Sequence, residues 1–247
     1  MTTRTVLVTG GGRGIGRAIA LRFAEAGCSV FVNFFVNREA AEKSAAEIVH
    51  RGGRAHLLQA DLKDPEQIQG MFEEIRREAG RLDVLVNNAA SGVLKGALEL
   101  SAKHWDWTMN TNVRPLLLCV RAAAPLMREG GRIISVSSLG AQRVVPNYAG
   151  VGVSKAALEA LTRYLAVELA DRGITVNAVS AGAVQTEIWR AFSEGEALLS
   201  LIRGRTPSGQ LVTPEELADV VFFLASPAAR PIQGQVIVVD AGYSLLA

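Results

Sequence analysis

Cysteine and histidine are scarce in this 247-residue chain, with two and three copies respectively. Cys28 and Cys119 stand far apart in apolar surroundings without CxxC spacing, which speaks against a disulfide framework and a cysteine zinc site. Both read as buried, inert thiols. His50, His56 and His104 share no ligand spacing, so no metal is expected. No apolar run approaches the length of a membrane span, and the first residues lack the charged start and cleavage site of a signal peptide. The expectation is a cytoplasmic protein without membrane association. An excess of one charge is missing too: Lys+Arg 26 against Asp+Glu 24, without like-charge blocks, argues against a dedicated nucleic-acid binder.

What is present suits one buried core: 49% of residues are hydrophobic and 20% charged, consistent with a single domain over 1–247. Seven runs rich in β-branched and apolar residues read as strands: Thr5–Val8, Ser29–Asn33, Ala55–Gln59, Val84–Asn87, Arg132–Ser137, Ile174–Ala178 and Gln235–Val239. Between them, helical periodicity covers Ile15–Ala26, Arg38–Arg51, Pro65–Ala79, Ser101–Arg128, Val151–Asp171 and Pro214–Ala225. Strand–helix alternation with right-handed crossovers gives an α/β fold, a doubly wound seven-stranded parallel sheet with helices on both faces. Ligands then bind at the carboxyl ends of the strands. Thr213, followed by Pro214, Glu215 and Glu216, has the pattern of a capping box. Only the stretch 181–211 lacks periodicity, and it reads as a substrate lid with a short helix around Glu187–Arg203.

Thr9-Gly10-Gly11-Gly12-Arg13-Gly14-Ile15-Gly16 lies between the first strand and first helix. Glycines there let the backbone turn sharply and approach a pyrophosphate, which the helix N-terminus stabilises. A site selective for NAD carries a carboxylate after the second strand to accept the ribose 2′-hydroxyl. Here Asn33-Phe34-Phe35-Val36-Asn37-Arg38 offers amides and an arginine, with Arg13 in the glycine loop. A 2′-phosphate would meet positive charge, so NADPH is the expected cofactor, with Arg13 the stronger phosphate ligand.

Further blocks recur along the chain: Asp61-Leu62, Asn87-Asn88-Ala89-Ala90, Asn112, Ser137-Ser138, Ser154-Lys155-Ala156-Ala157 and Val239-Asp240-Ala241-Gly242. With the glycine loop they resemble the short-chain dehydrogenase/reductase family over essentially the full length, which implies a Rossmann fold. The resemblance implies that Asp61 and Leu62 flank the adenine, that Asn88 and Ala89 line the cofactor, and that the 181–186 turn, including Gly182, Val184 and Thr186, holds the nicotinamide carboxamide. Ala181-Gly182 departs from the family's Pro-Gly at that turn. The resemblance also implies that Lys155 binds the nicotinamide ribose, that Asn112 holds the backbone near Lys155 through a water, and that the protein is a homotetramer.

Ketone-reducing members carry Tyr-x-x-x-Lys, but Val151 stands where that tyrosine belongs. Tyr148 instead gives Tyr-x6-Lys with Lys155, the spacing of the family's enoyl-acyl-carrier-protein reductases. The stretches Asn87–Leu94, His104–Asn110 and Val151–Leu169 look like the NADPH-dependent type III branch of those enzymes. In conjugate reduction the nucleotide's hydride goes to C3 while charge collects on the thioester oxygen at C1, so the oxygen needing support is displaced from the hydride target. Three residues along a helix shift an anchor by roughly 4.5 Å, the right order for that displacement.

Tyr148, Lys155 and Ser138 are therefore the candidate catalytic residues, Ser138 either assisting substrate or capping the fifth strand. The expected substrate is an enoyl thioester, on acyl carrier protein in fatty acid biosynthesis. The alternatives are a carbonyl or 3-oxoacyl thioester reductase of the same family, and a non-catalytic NADP-binding protein. Arg114, Arg121 and Arg128 recur every seven residues on one expected helix, as a solvated or subunit-facing stripe or a contact for the acidic carrier.

Overall fold

The computed structural model describes residues 3–186 and 195–246. The strands are β1 (Thr5–Val8), β2 (Ser29–Phe34), β3 (Arg54–Gln59), β4 (Val84–Asn87), β5 (Arg132–Ser138), β6 (Thr175–Ala181) and β7 (Val236–Val239). The α-helices among the described residues are α1 (Gly14–Glu25), α2 (Arg38–His50), α3 (Pro65–Ala79), α4 (Ala102–Asn112), α5 (Arg114–Ala123), α6 (Ala149–Glu168), α7 (Gly195–Arg205) and α8 (Pro214–Leu224). The strands form one sheet in the order β3-β2-β1-β4-β5-β6-β7, and every pairing is parallel.

Both faces of the sheet are covered, so the strands read as nearly continuous apolar runs. Alternation sorts their side chains between two layers. Val6, Val8, Val30, Val32, Val84, Val86, Ile134, Val136 and Val179 pack with α1 and α8. Leu7, Phe31, Leu85, Ile133 and Val176 pack with α3, α5 and α6. The chain leaves β1 for β2 and β3 on one side and returns to β4 on the other, which opens a crevice beyond the carboxyl ends of β1 and β4. The glycine loop, the segment after β4 and the end of β5 all reach that rim.

Two helix expectations change. The stretch read as one helix from Ser101 to Arg128 is two, α4 and α5, meeting at Val113. Pro115 has no N–H for the carbonyl of Thr111, and its ring crowds the preceding turn, so the helix restarts there. Arg114 and Arg121 thus lie on α5, whereas Arg128 lies beyond its end, and the supposed stripe does not share one helix. Among the described residues the helix in the 181–211 stretch covers Gly195–Arg205, ending two residues past the expected Arg203, and the expected start at Glu187 lies outside the described residues. The capping box at Thr213 is present, with Glu216 N–H donating to Thr213 Oγ1 and Thr213 N–H to Glu216 Oε2. Thr213→Ala should cost about 1 kcal/mol and lower Tm by about 2–4 °C in a thermal melt.

Cys28 and Cys119 are both buried, and burial raises both thiols, that of Cys119 to about 12. No described helix is long and apolar enough to cross a membrane.

Candidate active site

The glycine loop is fastened from three sides. Thr9 Oγ1 accepts hydrogen bonds from the N–H groups of Asn88 (2.9 Å) and Ala89 (3.0 Å). In return, Asn88 Nδ2 donates to the carbonyls of Thr9 (2.9 Å) and Gly10 (3.3 Å). From β2, the side chain and carbonyl of Asn33 accept from Gly10 and Gly11, and from α2 Ser44 Oγ donates to the Gly12 carbonyl at 2.9 Å. Asn88 therefore holds the loop's carbonyls, which leaves the N–H groups at the start of α1 for a ligand. The Arg13 cap supplies no side-chain acceptor to them. At Gly16 a Cβ would come within 2.2 Å of the Gly10 carbonyl oxygen and 2.5 Å of Asn88 Nδ2, so only glycine fits. Gly14 adopts φ +52°, which Gly tolerates without a Cβ penalty. Ile15 follows at the partly exposed edge of the loop.

Beside this loop lies a cleft of about 540 Å³, lined by Arg13, Arg17, Asn37, Glu39, Lys43 and Thr186 among others. Neither Arg13 nor Arg17 forms an ion pair among the described residues, while Lys43 pairs with Glu39 at 2.7 Å. Arg38 is a different case from the one expected. Its guanidinium donates to Gln59 Oε1 at 2.8 Å, approaches Glu42 at 3.7 Å and lies over the Phe34 ring, outside the cleft lining. Asn37 is likewise engaged, its side-chain oxygen capping α2 through Ala40 N–H at 3.0 Å. Arg17 and Lys43 are the cationic residues that sequence reasoning missed. They sit in the first turn of α1 and the second turn of α2, where spacing alone does not single them out.

Asp61 follows β3, its carboxylate turned to the Lys63 backbone N–H (3.0 Å) and Nζ (3.3 Å), with Leu62 buried beneath. The 181–186 turn folds over the loop. Gly182 N–H donates to the Val239 carbonyl, and a Cβ there would strike Asp240 Cβ at 2.7 Å, so this glycine is fixed by packing even without a preceding proline. Val184 is buried and paired with Val212, and Thr186 Cγ2 lies 3.9 Å from where a Cβ on Gly14 would stand.

The second cluster lies where β5 ends and α6 begins. Tyr148 is the N-cap residue of α6, not a residue within it, so the arithmetic of rise along a helix does not describe its offset from position 151. Asn147, in the left-handed region at φ +59°, turns the chain into it. Gly140 and Gly152 form the slot for the Tyr148 ring: a Cβ at Gly140 would stand 2.6 Å from the ring carbons, and one at Gly152 3.7 Å. Val151 is buried and turns toward Gly92, where even a Cβ would collide at 2.1 Å. Gly92, Gly140 and Gly152 were legible only as small residues. Their neighbours become visible once the chain is folded.

Burial raises the Tyr148 phenol above its ordinary value, partly offset by a hydrogen bond with the Ser138 side chain. Tyr148 is therefore a neutral donor throughout the physiological range. Ser138 Oγ also accepts from Gly140 N–H at 3.2 Å, so it caps the turn after β5 as well as reaching Tyr148. Lys155 is buried about two turns beyond Tyr148, its Nζ donating to the Val136 carbonyl at 2.8 Å, and burial brings it down to about 8 against the opposing field of Glu159. Asn112 bridges directly: Oδ1 accepts from Ser91 N–H and Nδ2 donates to Ser154 Oγ, both at 2.9 Å. This direct bond ties α4 to the residue before Lys155.

A glycine cradle at a switch point, an anion-ready helix start and a Ser–Tyr–Lys cluster across the crevice define an NAD(P)-type oxidoreductase. The comparisons agree. The family model described as enoyl-(acyl carrier protein) reductase matches residues 10–244. The chain is 40% identical over 243 residues to 1-cyclohexenylcarbonyl-CoA reductase of Streptomyces collinus, covering 98% of this chain and 87% of that one. It is 37% identical over 244 residues to a 3-oxoacyl-[acyl-carrier-protein] reductase of Staphylococcus aureus, covering 97% and 98%. A short-chain dehydrogenase of Burkholderia cenocepacia, solved in complex with NADP, superposes with a TM-score of 0.90 at 35% identity and 98% coverage of both chains. The chain belongs to the short-chain dehydrogenase/reductase family.

Proposed function

We propose that this protein reduces the C2=C3 bond of trans-2-enoyl thioesters with NADPH. The observation that carries the reading is Tyr148 in reach of Ser138 and at the N-cap of the helix that holds Lys155, with a buried valine at position 151. When bound, the nicotinamide supplies a hydride to C3. The residues present fit such a dinucleotide, because the loop that Asn88 and Thr9 hold open has no room for side chains at Gly16. Arg13 and Arg17 would face the 2′-phosphate across the cleft, and Lys155 would hold the ribose.

Tyr148 donates its hydroxyl proton as a hydrogen bond to the thioester oxygen, where negative charge gathers as the β-carbon is attacked. Its raised pKa suits this role, since a neutral phenol donates and a phenolate cannot. Ser138 orients that hydroxyl. A proton taken up from solvent at C2, balancing the hydride added at C3, then completes the saturated thioester. The Streptomyces relative supports the reading, because 1-cyclohexenylcarbonyl-CoA is by its name a thioester with its double bond conjugated to the carbonyl. We further propose fatty acid biosynthesis on acyl carrier protein as the setting. A homotetramer is also proposed, to which exposed Trp105, Leu117, Tyr164 and Val167 would contribute.

A second reading, 3-oxoacyl thioester reduction, is favoured by the Staphylococcus relative. Crotonyl and acetoacetyl thioesters, each on coenzyme A and on acyl carrier protein, decide between them. With NADPH as donor, kcat/KM should be at least about tenfold higher on the crotonyl thioester. A preference for the acetoacetyl thioester overturns the proposal. Arg13→Glu should shift the NADPH-to-NADH preference toward NADH by about 10–100-fold, through loss of a charge-assisted contact and gain of repulsion. Steady-state kinetics with both cofactors checks it.

A further inference from the structure

Glu159 lies one helical turn beyond Lys155 on α6, and both side chains are 5% exposed. Its carboxylate accepts from Ser137 Oγ at 2.6 Å and from Gln142 Nε2 at 3.3 Å. Those two donors stand on either side of Ser138 in the chain, one at the end of β5 and one in the turn that follows. A buried carboxylate held only by neutral donors is costly unless a charge of opposite sign shares its surroundings. The cation in that compartment is Lys155, toward which Glu159's field is directed.

We propose that Glu159 is a positioning residue of the reductase site: it keeps Lys155 cationic while the lysine is buried, and it clamps the segment that presents Ser138 to Tyr148. The sheet beneath adds to the compartment's polarity. Ser137 is in register with Ser180 on β6, and strand alternation turns Ser135, Ser137 and Ser180 to the α6 face. The hydroxyls of Ser135 and Ser180 are buried without a partner among the described residues. The Val136 carbonyl and Glu159 act on Lys155 directly, and the polar groups around them can be named element by element. Tyr148 comes from the N-cap of α6 and Glu159 from within the helix, the Val136 carbonyl with Ser137 and Ser138 from β5, Ser180 from β6, and Gln142 from the turn. α4 turns Thr108 and Asn112 inward and carries half-buried His104, whose Nδ1 has no partner among the described residues, while Lys103 and Asp106 are exposed. Glu159 is the one carboxylate in this set.

This sign follows from electrostatics: burial disfavours the lysine's charge, Glu159 restores part of it, and removing Glu159 makes Lys155 lose its proton at lower pH. The inference rests on the dinucleotide site and on Lys155 as its ribose ligand. It does not depend on which thioester is reduced, so the readout is binding of NADPH by fluorescence titration across a pH series. For the unaltered protein, affinity should weaken with a midpoint near pH 8, as Lys155 deprotonates. In Glu159→Gln that midpoint should fall by about one pH unit, and the alkaline limb of kcat/KM on whichever thioester turns over should move with it. Glu159→Met removes the same charge without an amide to satisfy and must shift the midpoint equally. In a Lys155→Arg background, where the cation does not titrate, Glu159→Gln should move no midpoint. Folded variants with the unaltered midpoint would reduce Glu159 to a packing residue and overturn the proposal, as would failure of both single variants to fold. A missing enoyl activity with the midpoint shifted would instead count against the assigned reaction alone.

Discussion

Replacing Tyr148 by phenylalanine should lower kcat on an enoyl thioester by about 10²–10³-fold, the loss of some 3–4 kcal/mol that follows removal of one donor to a developing oxyanion. NADPH binding should stay within about twofold of the unaltered protein, since the phenyl ring still fills the slot between Gly140 and Gly152 and no cofactor contact is removed. Pre-steady-state turnover with saturating NADPH and crotonyl thioester reads the first quantity, and fluorescence titration the second. The split between them is the informative part. A tyrosine that merely packed would tolerate phenylalanine in both measurements. A tyrosine that held the cofactor would fail in both.

Gly16→Ala should weaken NADPH binding by at least about a hundredfold, with far-ultraviolet circular dichroism unchanged. The new methyl group would stand 2.2 Å from the Gly10 carbonyl oxygen and 2.5 Å from Asn88 Nδ2. Neither neighbour is a flexible side-chain end that can yield. Gly10 is backbone, and Asn88 is fixed by bonds to the Thr9 and Gly10 carbonyls. The loop must open, and the N–H groups at the start of α1 lose their aim at the pyrophosphate. An alanine variant that bound NADPH normally would place the phosphates elsewhere.

The sheet was legible because its cause is local and repetitive. β1 and β4 begin and end where their apolar runs do, and α3 lies between Pro65 and Gly80, whose αL conformation closes it. The break between α4 and α5 was legible too, in Pro115, but the periodicity on either side masked it. The starts of β6 and β7 moved by one residue, which hydrophobic pattern alone does not resolve.

The candidate site divides in the same way. The glycine loop is readable because its constraint, room for a backbone to approach phosphates, is written in consecutive residues. The roles of Asn37, Arg38 and Asn88 were not, because each could face either a ligand or the protein. Folding gives each a protein partner: Ala40 N–H for Asn37, Gln59 for Arg38 and the glycine-loop carbonyls for Asn88. Glu159 was invisible in the sequence for a related reason. On helical spacing alone it is a surface glutamate, and only the approach of Ser137 and Gln142 from other elements turns it inward.

The spacing of Tyr148 and Lys155 carried the functional reading, and the structure changes its physical basis. The tyrosine is offset by a cap and a left-handed Asn147 rather than by rise along a helix, while Val151 occupies the space against Gly92. Which oxygen the phenol meets is thus the question that matters most. A crystal structure with oxidised cofactor and a non-reactive enoyl thioester mimic answers it. The Tyr148 hydroxyl should lie about 2.5–3.0 Å from the thioester oxygen, with the β-carbon facing the nicotinamide. A thioester oxygen held by Ser138 alone, with the phenol turned away from the acyl group, would contradict the account.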